Sequence, residues 1–333
     1  MKNYDIAIVG SGFIGSSLAE FLHNSFDVAT FDIVQQPEWL SNYNIPHKIC
    51  DIRNFNQLSK EIGNPSVIIH TAIIQIPAIN EKKDLAYEVN VIGTQNICKI
   101  VAENPNIKGI VLTGSWHVFG EQELIGTITE GFGYRPDKVE DRARLYALSK
   151  IMQECIVRFY DEKTQDKTFG VVRLATVLGE HMPKETAANL FITKALNGDE
   201  ITPYRHSMYR PMLYVAIEDV CKAFEKYIKI ILETEKTQTN SFHHIVNLGY
   251  PEPITILDLA NIVKESVIKH SNGKIQPKIT IVDKGISELY TLEDKNKIRL
   301  DIRKVKEFLK IDRLISPQEA IDEIVKKKLG NTF

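Results

Sequence analysis

The chain has 333 residues, 43% of them hydrophobic and 25% charged, a composition that excludes a disordered chain and allows one large domain or two closely joined ones. With 41 Lys and Arg against 43 Asp and Glu, the net charge of −2 gives no global basic field for nucleic acid or an anionic membrane, so neither is expected as a partner and any anion must be held by a local cluster. The four cysteines, Cys50, Cys98, Cys155 and Cys221, never form a CxxC pair, which argues against a disulfide framework or a zinc site and for a reducing compartment.

The first element is the apolar run DIAIVG, and glycines interrupt it before it could cross a bilayer. A soluble cytoplasmic protein is expected. The run leads into Gly10-Ser11-Gly12-Phe13-Ile14-Gly15, a GxGxxG turn that follows a strand and opens a helix. Gly10 allows the tight turn, Gly12 lets backbone approach a pyrophosphate, and Gly15 permits close packing of helix on strand. The helix start then offers free N–H groups and a positive dipole end to phosphates, with Phe13 and Ile14 on its first turn. The next strand, DVATFD, ends on Asp32, where a carboxylate can accept hydrogen bonds from an adenosine ribose. Neither Arg nor Lys lies between Asp32 and Lys48, so a 2′-phosphate would meet a negative charge without a cation, and NAD is favoured over NADP. The remaining alternative is a structural glycine turn followed by a surface Asp.

Further on, HKIC, SVIIH, GIVLTG and TFGVVRLATVLG are short apolar runs separated by amphipathic stretches, the pattern of a parallel sheet covered on both faces. Residues 84–103 carry apolar positions at helical spacing and are expected to form a crossover helix. A second long helix is expected over about 139–160, where Gly and Pro are absent. It contains Tyr146-Ala147-Leu148-Ser149-Lys150, which places a phenol and an ammonium on one helix face. A free tyrosine, with a pKa of about 10, is a poor base at neutral pH, but an adjacent lysine and a positive nicotinamide ring both favour its phenolate. A second YxxxK, Tyr134 to Lys138, has Pro136 inside it and is not expected to share a helix face. Ser115 follows the strand GIVLT, at the sheet edge where this class of fold binds ligands.

After Gly179 the alternation loosens, with Pro183, Gly198, Pro203 and Pro211 breaking the chain before a helix over about 217–232. HHIVNLG reads as one more buried strand. Thr255 with Asp258, and Ser316-Pro317 with Glu319, are helix-start signals, and the polar stretch 233–240 is the expected mobile loop. The fold expected is α/β: a Rossmann-like, doubly wound parallel sheet (1–178 plus about 212–249) with a smaller, mixed α/β C-terminal substrate domain (about 179–211 and 250–333).

At this point the residues resemble the extended short-chain dehydrogenase/reductases, specifically the NAD-dependent sugar-nucleotide epimerase/dehydratase group. Besides the glycine turn and YALSK, Asp51-Ile52-Arg53 stands where that family contacts adenine, and Val67 to Ala72, including Thr71 and Ala72, resembles its VIHLAA segment. Asn90 to Asn96 is similar to NVxGTxN, Ser115 with Val118-Phe119-Gly120 to SxxVYG, Arg173 to Gly179 to RxxNVYG, and Arg210, Tyr214-Val215 and Asp219-Val220 to RDFxYVxDV. The resemblance implies that Tyr146 is the base, that Lys150 holds the nicotinamide ribose and lowers the tyrosine pKa, and that Ser115 bonds the reacting sugar hydroxyl. It implies no metal, and a nucleotide-sugar substrate whose diphosphate is contacted by Asn189 and neutralised by Arg210. It also implies a homodimer built on the helices near 84 and 139.

Departures shape the reading. Val9 replaces the family's first glycine, Thr176 stands where epimerases commonly have Asn, and a second diphosphate-binding arginine is absent from 287–295. Trp116 and His117 follow Ser115 where the dehydratases and decarboxylases carry acids, so epimerisation or simple oxidation and reduction is preferred to water loss. His117 is either an acid/base near neutrality or a loop histidine satisfied by hydrogen bonds, and Trp116 either a sugar platform or loop packing. Tyr204, Arg205, His206, Tyr209 and Arg210 form a basic-aromatic cluster expected to touch an anionic substrate, with a solvated surface turn as the plain alternative. The function expected is a sugar-nucleotide 4-epimerase acting through a 4-keto intermediate. The alternatives are a reductase, dehydrogenase or dehydratase of a related sugar nucleotide or other alcohol and, more remotely, a non-catalytic NAD sensor.

Overall fold

The computed structural model describes residues 4–330. Seven strands form one parallel sheet: β1 (Ile6–Val9), β2 (Val28–Asp32), β3 (His47–Ile49), β4 (Val67–His70), β5 (Gly109–Ser115), β6 (Thr168–Leu174) and β7 (Ile245–Leu248). Their order is β7-β6-β5-β4-β1-β2-β3. Because β1 pairs with β2 on one side and β4 on the other, the winding reverses beside β1 and opens a crevice beyond its carboxyl end. Every residue of β1, β4, β5 and β7 is buried, as the near-continuous apolar runs require of strands covered on both faces.

The helices α1 (Phe13–Leu22), α2 (Phe55–Ile62), α3 (Gly93–Glu103), α4 (Asp141–Lys163) and α5 (Ile217–Glu233) supply those covers. The crossover helix expected at 84–103 is helical throughout, but a widened turn with π-type bonding, Glu88–Ile92, interrupts it. Asn90 sits on that turn, its side chain accepting from Ile74 N at 2.7 Å and donating to Ile74 O at 2.9 Å. Helix α4 starts at Asp141, two residues later than the sequence suggests, because Pro136–Lys138 forms its own short 3₁₀ turn. Tyr134 and Lys138 accordingly separate: the Tyr134 phenol donates to Glu154 at 2.8 Å, while Lys138 pairs with Glu123 at 2.6 Å.

The run TFGVVRLATVLG is not one strand. β6 ends at Leu174, and Thr176–Leu178 leaves the sheet to pair in parallel with Tyr214–Ala216. This departure leads into a second core, where Ala187–Leu196, Ile256–His270 and Pro317–Gly330 pack Ile192, Leu259, Val263, Ile321 and Val325 together. Both expected capping pairs close: Asp258 N donates to Thr255 Oγ1 at 2.9 Å, and Ser316 N to Glu319 Oε2 at 2.9 Å. The loop expected to be mobile after α5 is instead pinned. Lys236 pairs with buried Asp161 at 3.0 Å and donates to Thr164 O at 2.8 Å, which satisfies carbonyls at the end of α4. Among the described residues, no helix is long and apolar enough to cross a membrane, and no cluster of three or more His, Cys, Asp or Glu could hold a metal ion.

Candidate active site

The crevice beside β1 is a cleft of about 350 Å³, within the range of small-molecule sites. Gly10, Gly12, Phe13, Ile14, Gly15, Asp32, Thr71, Ala72, Ser115, Trp116, His117, Tyr146, Lys150 and Thr176 all line it. The sequence assigned these residues from six separate stretches, and the sheet topology brings them to one place.

The dinucleotide side is made of backbone. Gly10 has φ +103°, and a Cβ there would lie 2.4 Å from Ala72 N; a Cβ on Gly15 would lie 1.9 Å from Gly10 O. Gly12 differs, since a Cβ there meets nothing within 4 Å: its outer face is open, as a cradle for a phosphate must be. The first turn of α1 has no side-chain cap, so its leading N–H groups are free for an anion. Asp32 anchors the next position, accepting from Ser11 N at 2.6 Å and Ile33 N at 2.7 Å while its edge faces the cleft. Thr71 braces the turn with a 2.7 Å bond to Gly10 O. A stacked pair, Trp39 on His181 at 4.2 Å, joins the segment after β2 to the segment after Thr176–Leu178. These features fit a bound dinucleotide with an unphosphorylated ribose.

The chemical side gathers on α4 and the end of β5. Tyr146 and Lys150 lie one turn apart on the same face, and Lys150 donates to Thr113 O at 2.7 Å. Burial pushes Lys150 down to about 7, so in the free chain its charge is only partly present near neutrality. Burial also raises Tyr146, opposed by its hydrogen bond with Ser115. Ser115 in turn lies 3.1 Å from His117 Nδ1, and His117 Nε2 lies 3.0 Å from Glu121. The His117 ring also meets the Tyr146 ring edge-on, with centroids 5.4 Å apart.

Other expected residues lie elsewhere. Arg210 is buried and spent on two carboxylates, Glu121 and, at 2.7 Å, Glu140, so its charge is not free for a diphosphate. Asn189 turns inward, donating to Met182 O at 2.8 Å, and shapes the segment that carries Pro183 and Thr186 to the cleft. Arg205 pairs with Asp283 at 3.3 Å on the surface, away from the cleft, as in the plain reading of its cluster. Asp51 is held by Arg53 at 2.7 Å and Ile52 packs under Gly93; neither lines the cleft. Asn90 does not line the cleft; it holds the strand exit at Ile74 and donates to Ser149 Oγ on α4 at 3.3 Å. Trp116 is only 2% exposed, which favours packing, although its indole N–H has no partner. Glu121 and Glu140 were not found from sequence. The only local signal was Glu121 falling one helical turn beyond His117.

Comparison with known proteins agrees with this geometry. A family model described as the NAD dependent epimerase/dehydratase family matches residues 6–249. The mouse sterol-4-alpha-carboxylate 3-dehydrogenase, decarboxylating, is 28% identical over 53% of this chain and 46% of its own length. Matches of this kind span about half the length of those sterol dehydrogenases. The zebrafish UDP-glucuronic acid decarboxylase 1 is 22% identical over 95% of this chain and 70% of its own. In fold, the chain is similar to the UDP-glucose 4-epimerase of Thermotoga maritima solved with UDP-glucose, with a TM-score of 0.76, 18% identity and 100% of each chain covered.

Proposed function

Because the chain belongs to the NAD-dependent epimerase/dehydratase family, with NAD as its cofactor, we propose that it is an epimerase that oxidises a secondary hydroxyl of a sugar-type substrate to a transient ketone and reduces it again from the other face. The observation that carries this reading is the meeting of Ser115, Tyr146 and Lys150 in the same cleft as the glycine turn and Asp32. When bound, NAD supplies the hydride acceptor and donor. Tyr146 exchanges the hydroxyl proton, Ser115 orients the reacting oxygen, and Lys150 holds the nicotinamide ribose. The segments 179–211 and 250–333 then provide the substrate wall. A 4-epimerase of a sugar nucleotide is the specific form the sequence resemblance favours.

One observation favours a second reading. Arg210 is neutralised by Glu121 and Glu140, and among the described residues no arginine lines the cleft, which suits a dehydrogenase or reductase of a sugar or polyol without a nucleotide. Incubation with NAD and a panel of UDP-, GDP- and dTDP-sugars and free aldonates, with products resolved by NMR, separates the two. Epimerisation gives an isomer without net NADH; dehydrogenation accumulates NADH. The Tyr146→Phe variant is expected to lose about 10³-fold in rate while still binding NAD; full activity in that variant sinks both readings.

The proposal includes a homodimer. Leu148, Cys155 and Phe159 lie exposed at helical spacing along α4, and Tyr87 and Ile92 are exposed on the neighbouring helical segment. Such an apolar stripe suits a second copy of the chain packed helix to helix. Sedimentation of Phe159→Asp is expected to show monomers where the parent chain shows dimers.

A further inference from the structure

We propose that His117, backed by Glu121, is the terminal proton acceptor of the site, receiving the substrate's hydroxyl proton through Tyr146 and Ser115 and returning it when the ketone is reduced. The inference rests on the proposed oxidation at Tyr146, and names a residue outside the tyrosine, lysine and serine that reading requires.

The single hydrogen of Ser115 sets the direction of the chain. A serine hydroxyl has one hydrogen to give and two lone pairs to receive with. His117 Nδ1 stands 3.1 Å from its Oγ, and Tyr146 shares a hydrogen bond with the same oxygen. On the far side of the ring, His117 Nε2 is 3.0 Å from Glu121, whose carboxylate is an acceptor only. The Nε2 hydrogen must then face Glu121, which leaves the Nδ1 lone pair facing Ser115. The hydrogen-bond chain therefore runs in one direction, from phenol to serine to imidazole, and each member has the lone pair its neighbour needs.

The electrostatics follow the same direction. Burial raises the Tyr146 phenol and removes much of the Lys150 charge, so the free chain has little to hold a phenolate. An imidazole, in contrast, gains a proton readily beside an anion. Glu121 is that anion: burial alone would raise it, but His117 and Arg210 hold it at about 2. The charged groups facing this unit from neighbouring elements are Tyr146 on α4, Arg210 with its second partner Glu140, and the Tyr290 phenol close to Arg210 and Glu121. Arg210 and the imidazole meet Glu121 through the same oxygen, Oε1, and Arg210 keeps the carboxylate ionised.

The step balances. The substrate C–H bond breaks with its electron pair, as hydride, to NAD; its O–H proton passes to Tyr146 O as the phenol's own proton moves to Ser115 Oγ. The serine's original hydrogen bonds to Nδ1, and an imidazolium–carboxylate pair results. Reduction of the ketone reverses each transfer. A neutral His117 is needed for oxidation, and a protonated one for reduction.

The test uses the full chain in two arms. In the first, ¹⁵N-histidine NMR of the cofactor-free protein at pH 8 is expected to show His117 as the Nε2–H tautomer, and Glu121→Gln is expected to weaken that tautomer preference. An Nδ1–H tautomer overturns the inference, because that nitrogen would already carry the proton it is meant to receive. In the second, oxidation is followed by NADH absorbance, or by isomer formation where hydride is returned, with UDP-galactose and D-erythronate as probes. His117→Asn, which keeps a polar group in place, is expected to lower the rate at pH 7 about 10²-fold. It should also shift the acid limb of the rate profile upward, towards the phenol's own ionisation. An unchanged limb in His117→Asn with a dead Tyr146→Phe overturns the relay and leaves the proposed function standing; an active Tyr146→Phe overturns the function itself.

Discussion

The two walls of the cleft are built from different materials. On the β1–α1 side, recognition is by backbone: Gly10, Gly12 and Gly15 shape a turn whose outward groups are peptide N–H donors. On the opposite side His117 lines the cleft, and behind it Glu121, Arg210 and Glu140 continue a chain of side chains drawn from three separate segments. At Gly10 and Gly15 the first wall has no room for an added atom, whereas the second depends on paired charge. A site that must accept one invariant cofactor and one particular substrate has reason to be made in these two ways.

The sharpest break in this contrast comes from the glycines. Gly15→Val places a side chain against the Gly10 carbonyl, where backbone cannot retreat, and NAD affinity by calorimetry is expected to fall at least about 10³-fold along with stability. Gly12→Ala, which meets only open space, should leave the melting temperature within about 2 °C while NAD affinity still drops about 10-fold. If both variants lost stability equally, the wall would be structural rather than a cradle.

The second wall is tested by charge. Arg210→Met leaves Glu121 and Glu140 facing each other without a cation and is expected to cost about 3–5 kcal/mol in urea unfolding, with partial recovery in Arg210→Met/Glu121→Gln. The pH dependence has a definite sign. Burial pushes Glu121 up, but its partners depress it from 4.5 to about 2, so its contribution is complete above about pH 4.5 and is lost as pH falls towards 2. Circular dichroism over that window should show acid unfolding of the parent chain that Glu121→Gln blunts. The smallest effect on cofactor binding belongs to Asp32, whose carboxylate also holds Ser11 N and Ile33 N. Asp32→Ala should narrow the preference for NAD over NADP about 10-fold, measured as the ratio of the two dissociation constants.

The same contrast explains what could be read from the chain before it was folded. The turn at Gly10, the end of β2 at Asp32, and Tyr146 one turn before Lys150 are local patterns, because backbone turns and helix faces are set by residues close in sequence. The sheet was legible for the same reason, its strands being runs buried on both faces. Thr176 was misread as part of one long strand, since the point where a strand leaves its sheet depends on a partner, Tyr214–Ala216, forty residues away. Arg210 was assigned to a diphosphate because nothing near it in sequence shows that Glu121 and Glu140 fold onto it. Lys236, in a stretch that reads as a free loop, was likewise invisible as a partner of Asp161. Long-range ion pairs leave no period and no spacing.

The stacking of Trp39 on His181 carries an optical consequence. The chain has only two tryptophans, and the other, Trp116, lies in the cleft wall near Tyr146. One indole thus stands at a join between two outer segments while its twin lines the cleft, and reduced nicotinamide absorbs where indole emits. The protein's own fluorescence can therefore time the arrival of the coenzyme separately from its reduction, with no label attached.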